Sequence, residues 1–401
     1  MKSELKNSVI FMGNETSDWK NISASNPIDS LSLSLDDPPE ILVEFVKKYD
    51  GKFISGFITY EYGVKQLNVP VQDLIDFPAV HFRVYDSFES SNDFSTQSIK
   101  NNQQSTNPLS SPTLGKFKKG IMDLNFPKKQ IEWDSFQPII SKTDYDSGFE
   151  KIQNHIRSGN FYQINYTHSL QSKSNASPKK LFQALKKKNH VGYSVFMEND
   201  DWAIHSLSPE QFIKIENGII TAKPIKGTIS RGINAIEDER NLKSLLNSEK
   251  EQAELYMIID LLRNDLGKTC KTGSIQVLES KSIQKLEKIF HTYGVIQGKL
   301  KTNIHPIEAL LSMSPGGSIS GCPKKRACEI IHELEPKSRG IYTGTIGYIL
   351  PDGTLNFNIA IRTVTQLGEN LTLSVGGGIT VDSNNENEYK ETLAKAASFQ
   401  P

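Results

Sequence analysis

Four short runs rich in β-branched and aromatic residues, SVFME, WAIHSL, QFIKIEN and GIITAKPI, follow one another from Ser194 to Ile225. They read as closely spaced strands, and the same character returns over 340–381 in YTGTIGYIL, LNFNIAIRTVT and LTLSVGGGITV. Between these blocks lie helical stripes. Tyr145, Phe149, Ile152 and Ile156 recur at helical spacing, with Gly159 placed to end the helix. Further helices are expected over 41–48, 180–188, 249–266, where Leu255, Ile258, Ile259 and Leu262 form the apolar side, and about 386–398. KFISGFITY (52–60) and FYQINYTHSL (161–170) read as strands, the second placing Phe161, Gln163, Asn165 and Thr167 on one face. Strands with interspersed helices point to an α+β fold.

One stretch breaks the pattern. From Ser90 to Thr113 the chain is too polar to pack, so it is expected to be a linker or disordered loop. This divides the chain into 1–88, which supplies strands to the main body and looks chemically quiet, a polar linker or loop region over 89–139, and a catalytic domain over 140–401. With 46 basic residues against 46 acidic ones, no nucleic acid or anionic membrane is expected as a partner. Three unpatterned cysteines, Cys270, Cys322 and Cys328, suit a reducing compartment. The N-terminus lacks a long apolar run and no segment approaches the roughly 18 apolar residues of a membrane span, so a cytoplasmic location is expected.

Several residues could carry chemistry. Glu251 and Glu254 share a helix face, as do Glu388 and Glu391, and two such faces meeting would suit Mg²⁺; taken alone, each is the pattern of a solvated helix surface. Glycine clusters at 316–321, 344–347 and 376–378 allow close backbone approach to an anion or simply tight turns, and the first fails the phosphate-loop template because Cys322 and Pro323 follow it. Arg362 inside the apolar strand NIAIRTV should meet a carboxylate or line a cleft. His291 is either a proton carrier near neutral pH or a hydrogen-bonded structural residue. Glu210, after a Ser-Pro turn, reads by default as a loop surface charge.

Lys226, in AKPIKGT, would need its pKa brought from about 10.4 to about 7–8 to act as a nucleophile. Pro224, Ile225 and Gly227 suggest dry, uncharged neighbours.

The order SPEQF, PIKGT, IIDLLRNDLG, His291, PGGSISGCPKKRACEII, GIYTGTIGY, IAIRT, GGGITVDS, NEYKETLAKA resembles the chorismate-utilising enzymes, which include anthranilate, aminodeoxychorismate, isochorismate and salicylate synthases. The match runs from about residue 140 to the C-terminus. It implies two antiparallel sheets packed as a sandwich with outer helices, and a Mg²⁺-dependent displacement on the ring of chorismate. Glu254 and Glu391 match the family's metal ligands, with Glu251 and Glu388 behind them. Tyr342, Arg362, Gly376, Gly377, Gly378 and Lys395 match residues that hold substrate carboxylates, and Thr228 of the lysine motif joins this substrate-binding set. His291, here in HTYG where the family is closer to H-L-V-S, matches the histidine near the departing hydroxyl, and Glu210 matches the acid/base residue.

Water-using members of the family carry a lysine base where this chain has Gln163, which implies an amine-using branch. Within that branch anthranilate synthases resemble P-I-A-G-T and aminodeoxychorismate synthases P-I-K-G-T, the form found here. The implied reaction is attack of Lys226 at C2, departure of the C4 hydroxyl with a proton from His291 or Glu210, and displacement of the lysine by ammonia at C4. The G-x-C-x-G turn of a glutaminase is absent from the N-terminal third, so a separate glutaminase subunit is the expected partner. No tryptophan inhibition is expected, and a separate lyase would make 4-aminobenzoate. The alternatives are anthranilate synthase component I and a non-catalytic dicarboxylate-binding subunit.

Overall fold

The computed structural model describes residues 7–91, 131–286 and 289–401. The described residues form two ten-stranded sheets in which every pairing is antiparallel. One runs Gly321–Cys322, Gln163–Lys173, Asn370–Ile379, Thr363–Leu367, Trp202–Ser208, Tyr193–Glu198, Val9–Met12, Asn21–Ala24, Glu89–Ser91. The other runs Ile225–Ser230, Ile289–Lys299, Ile219–Ala222, Gln211–Glu216, Leu355–Ile359, Thr345–Ile349, Phe53–Ile58, Val80–Tyr85, Asp29–Leu33. Gln276–Lys285 pairs with the far side of Ile289–Lys299, and Gln137–Pro138 with Gln163–Lys173.

Alternation along the strands explains the layering. Phe11, Val195, Ile204, Phe53, Phe57 and Tyr348 share the core between the sheets. Their strand neighbours point outward instead: Phe196, Ala203 and Leu207 pack under the helix Pro178–Lys188 through Leu181, Phe182 and Leu185. Ile54 and Ile58 lie with Leu42, Ile258 and Ile259 of helices on the opposite side. The result is a sandwich with helices outside, as expected.

Of the stretch expected as a linker, residues 92–130 lie outside the described residues. Its described ends pair with the first sheet, and Trp133 and Phe136 are buried. The helix Lys142–Arg157 opens on a capping box between Ser141 and Asp144, and Gly159, at φ +72°, follows its end.

One expected strand does not exist as such. LNFNIAIRTVT is split into Leu355–Ile359 in one sheet and Thr363–Leu367 in the other. Between them the chain crosses the sandwich, and Arg362 takes φ +50° at the crossing. A continuous β-branched run looks like one strand from its composition; pairing on two different sheets breaks it.

Candidate active site

Lys226 sits on the strand Ile225–Ser230, whose register against Ile289–Lys299 shifts between Lys226 and Thr228. Gly227 makes that bulge with φ +56°, and a Cβ there would come within 2.6 Å of Thr292 Oγ1 and 3.1 Å of Glu251 Oε2. Thr292 Oγ1 donates to the Lys226 carbonyl at 2.5 Å, fixing the backbone. The Lys226 ammonium lies 3.9 Å from Glu254 Oε2, the two side chains being 15% and 16% exposed. The uncharged neighbourhood expected from the adjacent residues is therefore corrected. The helix Glu249–Thr269 packs across this strand and brings its carboxylates with it, which neighbouring residues in the chain cannot reveal.

Glu210 is not a surface charge. It is buried, and burial raises its carboxyl to about 7 against the opposing field of Lys226 and a hydrogen bond from Ser318 Oγ at 3.3 Å. Ser208 fixes the turn by donating to the Ile359 carbonyl at 2.6 Å and accepting from the Glu210 N–H at 3.2 Å. In the sequence Ser318 reads only as part of a glycine cluster. Its partner lies 108 residues away.

The carboxylates of the two acidic helices lie within each other's electrostatic reach. Ser248 caps Glu249–Thr269 by accepting from the Glu251 N–H, and Asn384 caps Asn385–Ala396 by accepting from the Asn387 N–H. Glu251 is raised by burial and then by Glu254, with Glu391 of the opposite helix adding to the effect. Glu388 is raised by burial, against a 2.7 Å hydrogen bond from Ser383, and Glu391 again adds. A helix face that feels carboxylates of another helix is not simply solvated. Lys395 pairs with Glu391 at 2.8 Å.

Among the described residues no three His, Cys, Asp or Glu side chains gather closely enough to hold a metal by themselves. The donors are all carboxylate oxygens, with Lys226 beside Glu254 and Lys395 beside Glu391. That chemistry fits Mg²⁺, which takes one or two protein carboxylates and completes its shell with water and substrate oxygens.

Facing the helix Asn385–Ala396, Gly376, Gly377 and Gly378 pair with Thr167, Tyr166 and Asn165. A Cβ on Gly376 would fall 2.7 Å from Thr167 Oγ1 and from the Tyr166 carbonyl; on Gly377 it would meet only Glu388 Oε2, at 3.2 Å; on Gly378 it would strike Gln163 Nε2 at 2.3 Å. Lys395 donates to the Gly376 carbonyl at 2.8 Å. Gln163 is buried, with its Oε1 lacking a hydrogen-bond partner among the described residues. Tyr342 stands beside Gly376, its phenol pushed up to about 12 by burial.

His291, Thr228 and Arg362 form a neighbouring group. Thr228 Oγ1 and His291 Nδ1 are 2.7 Å apart. His291 and Arg362 line a cavity of about 560 Å³ with Tyr193, Gln211, Lys223 and Ile225. The lining includes neither Lys226 nor the glutamates. Burial, and then Arg362, push the imidazole down to about 4, which holds it neutral at pH 7. Arg362 has no ion pair or hydrogen-bonded acceptor for its guanidinium among the described residues, and desolvation lowers its pKa. Of the two readings of this arginine, the cleft-lining one holds.

This arrangement coincides with a match to the chorismate binding enzyme family over residues 9–401. The chain belongs to that family. Among chorismate binding enzymes, it is 40% identical over 261 residues to aminodeoxychorismate synthase component 1 of Salmonella typhimurium, covering 65% of this chain and 58% of that protein. It is 32% identical over 307 residues to anthranilate synthase component 1 of Aquifex aeolicus, covering 76% and 62%. The matches thus span less than two thirds of these relatives. Anthranilate synthase component I from Streptococcus pneumoniae has a similar fold, with a TM-score of 0.75 at 25% identity over 99% of this chain and 93% of that one. No helix among the described residues is long and apolar enough to cross a membrane.

Proposed function

We propose that this chain is the chorismate-aminating component of an aminodeoxychorismate synthase, forming 4-amino-4-deoxychorismate through a covalent bond to Lys226. The observation that carries the reading is a largely buried lysine on a bulged strand, 3.9 Å from Glu254, in a site that has Gln163 in place of a lysine base. The similarity to aminodeoxychorismate synthase component 1 supports it. Chorismate would lie between the glycine wall and the acidic helices, its carboxylates met by Arg362, Tyr342, Lys395 and the amides of Gly376–Gly378, with Thr228 holding His291 beside it. Glu254 and Glu391 would hold Mg²⁺, backed by Glu251 and Glu388. The ion would neutralise the ring carboxylate and polarise the ring for displacement.

Lys226, once its ammonium has passed a proton to solvent, attacks C2, the ring double bonds shift, and the C4 hydroxyl leaves as water with a proton from Glu210, which is left as the carboxylate. Glu210 rather than His291 fits the donor, because a carboxyl near 7 still holds a proton at neutral pH and an imidazole near 4 does not. Ammonia then attacks C4 as the C2–nitrogen bond breaks and Lys226 leaves as the free amine, and the proton shed by the new C4 ammonium returns to Glu210. Gln163 offers no base to activate water, which leaves the amine route. The "component 1" of the relatives' names fits a glutaminase subunit as the ammonia source, and a separate lyase would convert the product to 4-aminobenzoate for folate synthesis in the cytoplasm.

The rival reading is anthranilate synthase, favoured by the longer match to the Aquifex protein. Incubation with chorismate, Mg²⁺ and ammonium separates them. Anthranilate fluorescence without added lyase would sink the present reading, and loss of chorismate with a C4-aminated product would support it.

A further inference from the structure

Beneath the site lies a buried cation that reaches no part of the cavity. All five N–H groups of Arg339 are used: Nε and Nη2 donate to the two oxygens of Glu335 at 2.7 and 2.6 Å, Nη1 to the Ile319 carbonyl at 3.0 Å and Thr343 Oγ1 at 3.3 Å, and Nη2 to the Asn165 carbonyl at 2.7 Å. These acceptors belong to three separate walls of the site. Asn165 is on the strand carrying Gln163 and Thr167, Ile319 follows the Ser318 that holds Glu210, and Thr343 follows Tyr342. Glu335 also accepts from the Thr167 N–H at 3.0 Å.

A second carboxylate fixes the same arginine from behind. Glu61 accepts from the Arg339 and Gly340 N–H groups at 2.5 and 3.0 Å, and the Arg339 guanidinium lies 4.4 Å over the Tyr60 ring. Both come from the N-terminal region, whose sequence looks chemically quiet. Gly340 at φ +61° and Thr343 at φ +62° bracket the turn that presents Tyr342.

We propose that Arg339 is a positioning residue that sets the spacing of the Gln163 strand, the Ser318 turn and the Tyr342 loop, and that Glu61 locks it in place. The proposal rests on the functional reading above. Arg339→Lys keeps the charge but cannot fork to three walls. Glu61→Gln leaves one acceptor oxygen for two N–H groups and sets an amide donor against one of them.

The test is steady-state kinetics with chorismate, Mg²⁺ and ammonium, on protein whose folded fraction is measured by circular dichroism. A merely structural role lowers apparent kcat through fewer folded molecules and leaves KM alone. Misplaced walls raise the chorismate KM, by about tenfold or more in Arg339→Lys and about threefold in Glu61→Gln. Unchanged KM in both variants overturns the proposal. Should Arg339→Lys not fold, Glu61→Gln decides it. If the wild-type protein turns over no chorismate, the functional reading fails; chorismate affinity of the same proteins by calorimetry then decides, an unchanged affinity overturning the positioning role.

Discussion

The Nζ of Lys226 lies 3.9 Å from Oε2 of Glu254, which joins the one lysine of PIKGT to the acidic helix expected to hold the metal. For Lys226→Ala, formation of the C4-aminated product should fall about 100-fold or more. Intact-protein mass spectrometry should find a chorismate-derived adduct on the wild type only; an adduct on both would remove Lys226 from the mechanism.

Glu210 gives the reaction a pH dependence of definite sign. In the proposed mechanism its acid form donates the proton, so kcat should fall as pH rises through about 7, and Glu210→Gln should lower kcat about 100-fold and flatten that limb. Stability follows the same carboxyl. Its folded pKa is raised, so the unfolded chain loses this proton first, and the residue's contribution to stability falls from about pH 4.5 to about 7. Denaturant titration should show Glu210→Gln gaining about 3 kcal/mol relative to wild type between pH 4 and pH 8.

Arg362 is half-buried with no counter-charge among the described residues, so removing it should not destabilise the free protein. Arg362→Met is expected to melt at the wild-type temperature or above it. Its chorismate KM should rise about 100-fold, the loss of a charge-assisted contact worth about 3 kcal/mol. A lower melting temperature with an unchanged KM would make Arg362 structural.

The glycine wall separates clearance from mere composition. Gly376→Ala pushes a methyl into the Tyr166 carbonyl and should cost about 1–3 kcal/mol by thermal unfolding. Gly377→Ala meets only the end of the Glu388 side chain and should fold normally. Equal losses in the two variants would contradict the geometry.

Removal of divalent ions with a chelator should abolish turnover, and added Mg²⁺ should restore it. Glu254→Gln and Glu391→Gln should each raise the Mg²⁺ needed for half-maximal rate by tenfold or more, roughly the size of effect seen when support for a bound metal is lost. An unaltered Mg²⁺ titration in both would place the ion elsewhere.

The sequence by itself determined the elements and the company they keep. Residue periodicity located the helix whose Tyr145, Phe149 and Ile152 are buried and the strand that puts Gln163 and Asn165 on one face, because such patterns depend on neighbours a few residues apart. The order of the motifs pointed to the family. Tertiary structure alone decided the electrostatics. Glu210 is an ordinary loop glutamate until Ser318 and the sheet close over it. Lys226 has dry local neighbours until a helix brings Glu254 beside it, and Arg362 looks like one residue of a strand until the chain changes sheets there. Burial and Coulomb fields are set by atoms that meet only after folding, as in Arg339, whose partners Glu61 and Asn165 lie 278 and 174 residues away along the chain.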